Sequence, residues 1–111
     1  MTARPADRAE AKALPNLARH FYALKDAMRL EMIALMADRD ECTVHEIAAA
    51  LNKSQPLVSW HLRRLKAAGI VKLRRSGREV YCSLDRASIA RYQQEFLRLI
   101  QPRFQTPNSN L

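Results

Sequence analysis

At 111 residues the chain is long enough for one domain with one modest core, and 48% hydrophobic residues mark a folding sequence rather than a disordered one. No apolar run is long enough to span a membrane, the charged start "MTARPADRAEAKA" leads into no apolar leader, and two cysteines are too few for a secreted disulfide framework, so a cytoplasmic protein is expected. The net charge of +8 is confined: no Asp or Glu occurs from Asn52 to Arg78, eight basic residues do, and the rest of the chain is balanced, which is the footprint of a polyanion partner and more segregation than solubility requires.

In chain order, residues 1–13 read as a flexible tail. "LPNLARHFYAL" then sets Leu14, Leu17, Phe21 and Leu24 on one helical face, with Asn16 as a candidate cap. Asp26 caps a second helix, "AMRLEMIALMA", in which Met28, Met32 and Met36 recur every fourth residue. Such a stripe is a ligand box or flexible core packing, and core is the reading taken. After the polar break "DRDE", Thr43 and Glu46 have the spacing of a capping box, with Cys42 and Ile47 placed as its hydrophobic staple. A short helix follows to Leu51, and "NKS" makes a tight turn. Ser54 caps the next helix, whose first turn holds Pro56 and which closes at Gly69 with Ile70 reaching back to Leu65.

Beyond Gly69 the periodicity changes to two. "VKLRR" and "EVYCSL" are expected as strands around an "SGR" turn, with Val80, Cys82 and Leu84 on one face. "RASIARYQQEFLRLI" is an amphipathic helix aligning Ile89, Tyr92, Phe96, Leu99 and Ile100, and Pro102 stops it. Residues 102–111 read as a disordered tail. The expected fold is mainly α with a small β-hairpin, in the order α-α-α-α-β-β-α, as one domain over 14–101.

A short helix, a tight turn and a second helix form a helix-turn-helix, and the hairpin adds a basic wing. In the second helix Val58, Leu62 and Leu65 supply the docked face, leaving Trp60, Arg63 and Arg64 outside. Arg63 suits guanine O6 and N7, and Gln55 suits adenine N6 and N7. Ser54 and Ser59 bond phosphate or base edges. Trp60 packs on sugar or thymine methyl groups, or is a surface aromatic at a dimer contact. At the wing, Arg74, Arg75 and Arg78 are placed to grip phosphates, one of them in a narrow minor groove.

"ALKDAMRLEMIALM" and "TVHEIAAALNKSQPLVSWHLRRLKAAGIVKLRRSGREVYCSLD" resemble the ArsR/SmtB family of winged-helix transcriptional repressors over roughly residues 17–100. The resemblance implies a homodimer joined through the first and last helices, binding a palindromic double-stranded operator and released by an inducer. It assigns groove reading to Gln55, Ser59, Trp60 and Arg63, and a wing contact to Arg78. His61 falls where the family commonly has His and is read as structural or as a phosphate contact.

The family's metal sites are absent or broken here. "ECTVHEI" has Thr43 and His45 where the metalloid motif E-L-C-V-C-D-L has cysteines, and "DRASIARYQQEF" lacks the histidine of zinc-type members. His20, His45 and His61 are scattered. A cluster of Cys42, His45 and Cys82 is conceivable, but no metal or other cofactor is assigned. In winged helices the segment before the third helix pairs with the second wing strand, which would bring Cys42 beside Cys82. The two are then a thiol pair that oxidises, or binds a soft electrophile or metalloid, and so repositions the wing, or two small buried hydrophobes, as free cysteines commonly are. With two glycines and no nucleophile–base arrangement, an enzyme is not expected. The rival to a specific repressor is a non-specific architectural winged helix, or one that binds protein or RNA, without an inducer.

Overall fold

The first helix starts upstream of its apolar face. A computed structural model describes residues 8–102, and α1 spans Arg8–Ala23. The amphipathic pattern was expected to open the helix near Leu14, but "RAEAKAL" consists of strong helix formers and extends it without any apolar stripe. Pro15 therefore sits inside α1, where it removes one backbone donor. Asn16 is mid-helix rather than at a cap, and its Oδ1 accepts from Arg19 Nη1 at 3.1 Å. Residues 8–13 of the expected N-terminal tail are therefore helical, and the rest of that tail, 1–7, lies outside the described residues, as does 103–111 of the C-terminal one.

The remaining starts follow their caps. Asp26 opens α2 (Ala27–Ala37) by accepting from the Arg29 N–H at 3.2 Å. Thr43 and Glu46 close a reciprocal box on α3 (Val44–Leu51): Thr43 N–H donates to Glu46 Oε1 at 2.8 Å and Glu46 N–H to Thr43 Oγ1 at 3.0 Å. Asn52, in the left-handed region at φ 54°, turns the chain into α4 (Gln55–Ala67). At the far end of α4, Gly69 N–H donates to the Lys66 carbonyl and Ile70 N–H to that of Leu65, the paired bonds of a Schellman close.

Strands β2 (Val71–Ser76) and β3 (Glu79–Leu84) form the hairpin around Gly77 and Arg78, with Gly77 at φ +61°. A third, two-residue strand, β1 (Cys42–Thr43), pairs antiparallel with β3 and gives the order β1-β3-β2. The Ile70 carbonyl accepts from the Asp85 N–H at 2.8 Å, and Asp85 caps α5 (Arg86–Leu99).

The core lies between α2, α3, α4 and the sheet. Met32, Met36, Ile47, Val58, Leu62, Leu65, Ile70, Cys42 and Cys82 are all essentially excluded from water. Two methionines of the stripe are thus packing, and Met28 flanks them. Each such aliphatic side chain contributes roughly 1.5–3 kcal/mol by leaving water. α1 and α5 pack together outside this core, where His20 is fully buried and stacks on Tyr92 at 4.3 Å. Its Nδ1–H donates to the Ala68 carbonyl at 2.8 Å, and its Nε2 is buried without a hydrogen-bond partner.

Candidate nucleic-acid interface

Ser54 Oγ accepts from the Leu57 N–H at 3.3 Å, which fixes where α4 begins. At 3.6 residues per turn Gln55, Ser59 and Arg63 then fall on one ridge, and Lys66 continues it. Ser59, Leu62, Arg63 and Lys66 form one wall of a groove, and Leu73, Arg75 and Val80 of the wing form the other, with Val44 from α3. The floor is aliphatic and the rim carries three cations and no acid.

Strand alternation decides which wing arginine reaches this groove. Arg75 opposes Val80 and shares its face with Leu73. Arg74 opposes Tyr81 on the other face, with its guanidinium 4.5 Å from the Tyr81 ring centroid. There it donates to both Glu41 oxygens at 2.8 and 3.1 Å. That bidentate bond holds the Glu41 carboxyl below the usual carboxylate range and raises the guanidinium. Arg78 is exposed in the two-residue turn. Of the three wing arginines expected to act together, Arg74 is turned away from the groove.

Trp60 and Arg64 form a second ridge, on the α2 side. Trp60 is 42% exposed, with the guanidinium groups of Arg64 and Arg29 at 5.0 and 5.4 Å from its ring centroid. Arg29 is buried, and its Nε donates to His61 Nδ1 at 3.0 Å. His61 is therefore neutral with its proton on Nε2. Burial first, then the Arg29 charge, hold it below the usual imidazole range against the opposing pull of Asp26. Trp60 is thus the lid of a buried Arg–His pair, a use beyond the two expected of it. Gln55, at the start of the first ridge, is bonded to His45 of α3, with Nε2 to Nδ1 at 3.0 Å.

Cys42 and Cys82 stand directly opposite each other in the β1–β3 register, both buried. Burial, and after it the neighbouring Cys42 and Glu41, pushes the Cys82 thiol up to about 12. His45 does not join the two cysteines: among the described residues no three His, Cys, Asp or Glu side chains converge as a metal group. No helix among them is long and apolar enough to cross a membrane.

Read alone, the sequence assigns no interface role to Lys66 or Arg29, and it admits His45 only as a metal ligand beside the cysteines. Lys66 was available from its spacing of three after Arg63. Arg29 and His45 act through partners 32 and 10 positions away, and no local pattern marks either.

Residues 26–72 match the family model described as "Bacterial regulatory protein, arsR family". The HTH-type transcriptional repressor SmtB of Mycobacterium tuberculosis is 48% identical over 58 residues, 52% of this chain and 42% of that protein. The chain spans about half the length of the curated relatives it matches. A crystal structure of a possible transcriptional regulator for arsenical resistance is 30% identical, with a TM-score of 0.63 over 72% of this chain and 82% of that one. The solution structure of a homodimeric winged helix-turn-helix DNA-binding domain from Mycobacterium bovis, described as a possible ArsR-family transcriptional regulator, is 27% identical. Its TM-score is 0.69 over 95% of this chain and 98% of that one.

Proposed function

The chain belongs to the ArsR/SmtB family of winged helix-turn-helix transcriptional regulators, and from that premise we propose that it is a homodimeric repressor that binds a specific palindromic operator and is released by an inducer. The observation that carries the reading is the acid-free groove between α4 and the wing, where Arg63, Lys66 and Arg75 surround an aliphatic floor. A duplex fits such a surface in two ways: phosphates meet the cations, and base edges meet Gln55, Ser59 and Arg63 on the ridge that enters the major groove. Ser54 and the helix N-terminus behind it add backbone donors for phosphate, and Arg78 extends the wing. Trp60 and Arg64 flank the contact, and Arg74 contributes least because Glu41 neutralises it. The chemistry of this surface is recognition.

A dimer is supported by the outer surfaces of α1 and α5. Leu14, Tyr22, Phe96 and Leu97 are exposed there, on two helices that pack side by side, and Ile100, the C-cap of α5, is 60% exposed. A twofold pairing through these helices sets two α4 helices about one turn of DNA apart.

Cys42 and Cys82 are the trigger in this proposal. Their opposed register supports a bridge, whose formation hands two electrons and two protons to an oxidant and draws on the strand that carries the wing. The raised, buried Cys82 thiol favours the second reading, two core hydrophobes with no sensing role.

The test is fluorescence anisotropy of the protein on its own upstream DNA, at fixed salt, with competitor duplex. Competitor-resistant binding supports the repressor, and binding no tighter than to competitor favours a non-specific architectural protein. Loss of specific binding after diamide, with the thiols titrated before and after, assigns the trigger to the cysteine pair. Specific binding untouched by a formed bridge returns both cysteines to the core.

A further inference from the structure

We propose that His45 sets the base preference of the recognition helix by holding the amide of Gln55 in one orientation. The inference rests on the reading of Gln55 as a base reader. Gln55 is the first residue of α4 and His45 the second of α3, so the contact spans the two helix starts on either side of the Asn52 turn. Both starts are fixed independently, α3 by the Thr43–Glu46 box and α4 by the Ser54 cap.

The chemistry of the bond is directional. The amide nitrogen has donors only, so the His45 Nδ1 it meets at 3.0 Å must be the unprotonated acceptor. One Nε2–H of Gln55 is spent on the ring. The second Nε2–H and the Oε1 stay available, in a fixed order along the amide edge.

An unanchored glutamine amide turns over by half a rotation about its last torsion, which exchanges donor and acceptor. Adenine in the major groove presents an acceptor at N7 beside a donor at N6, while guanine presents two acceptors. An amide free to turn meets several edges tolerably. An amide held by His45 meets one order of groups and leaves a buried polar atom unpaired against the others. The anchor thus converts a tolerant contact into a selective one, without His45 touching a base.

The test uses the preferred duplex and a set in which each base pair of the half-site is changed in turn, symmetrically in both halves. The readout is the ratio of affinities for original and changed duplex at each position, which cancels any uniform loss of binding. Gln55→Ala is expected to abolish a preference of about tenfold or more at one position, which identifies the base that Gln55 reads. His45→Ala is expected to lower the ratio at that same position several-fold and leave the other ratios unchanged. His45→Asp places an acceptor-only oxygen near the position of Nδ1. It should keep the ratio while weakening binding to every duplex through its added negative charge.

If His45→Ala leaves the ratio at the Gln55 position intact, or lowers all positions alike, the proposal is overturned. If Gln55→Ala changes no ratio, base reading by Gln55 itself falls, and the role of His45 falls with it. Both side chains are exposed, so both variants should keep the wild-type circular dichroism and melting temperature.

Discussion

Gly69 meets two demands at once. Its φ of +74° closes α4, and a methyl group built there would lie 2.7 Å from the Tyr92 ring and 2.8 Å from Ser88 Oγ. Gly69→Ala should therefore lose about 1–2 kcal/mol to the left-handed backbone alone. Displacement of α5 adds to that, and urea denaturation will read the sum; a loss under 1 kcal/mol would mean that α5 yields freely. His61 sets a pH dependence of the same fold. Its folded-state pKa is lowered, by burial before any charge, so the unfolded chain takes up the proton first. Stability from this group is complete above the unfolded value of about 6.5, falls as the pH drops below it, and levels off once the folded pKa is passed. Asp26 and Arg29 are the charged groups that face the ring. His61→Asn retains an acceptor for Arg29 and removes the titration, so its urea midpoint should vary less between pH 7.5 and 5.5 than that of wild type.

Among the described elements, α3 is the shortest helix, and the reciprocal Thr43–Glu46 box fixes its start. Thr43→Ala should cost about 1 kcal/mol, seen as a lower urea midpoint with an unchanged slope. In the wing, the alternation that separates Arg75 from Arg74 predicts unequal effects on DNA. Arg75→Ala should weaken binding across all sequences and reduce the salt slope by about one. Arg74→Ala should change the slope less, since its cation is already matched by Glu41. Equal effects would show that the Glu41 pair opens on binding. These elements were legible in the sequence because each signal is local: a cap three residues from its partner, a glycine at a helix end, a change of period from helix to strand. The start of α1 was not legible, because "RAEAKAL" forms helix by propensity and its sequence carries no apolar periodicity to betray it. Trp60 was placed on the outside correctly, but the buried Arg29 beneath it comes from a contact 32 positions away in the chain.

For the whole molecule, Leu97→Glu combined with Ile100→Glu puts two charges at the exposed end of α5, in its last turn and at its C-cap, where both leucine and isoleucine are more than half exposed. If that face joins two copies, sedimentation will show a monomer with wild-type helix content, and operator affinity will fall because one half-site is then bound at a time. A variant that stays dimeric would move the interface elsewhere. The confinement of the net positive charge to the stretch from Asn52 to Arg78 has a consequence of another kind. A body that is neutral over most of its chain and strongly positive on one side behaves in an external field as a dipole. Near a polyanion it turns before it touches, so the face carrying α4 and the wing leads the approach. Collisions arrive already sorted by orientation, and the fraction that is productive exceeds that of an evenly charged protein of the same size.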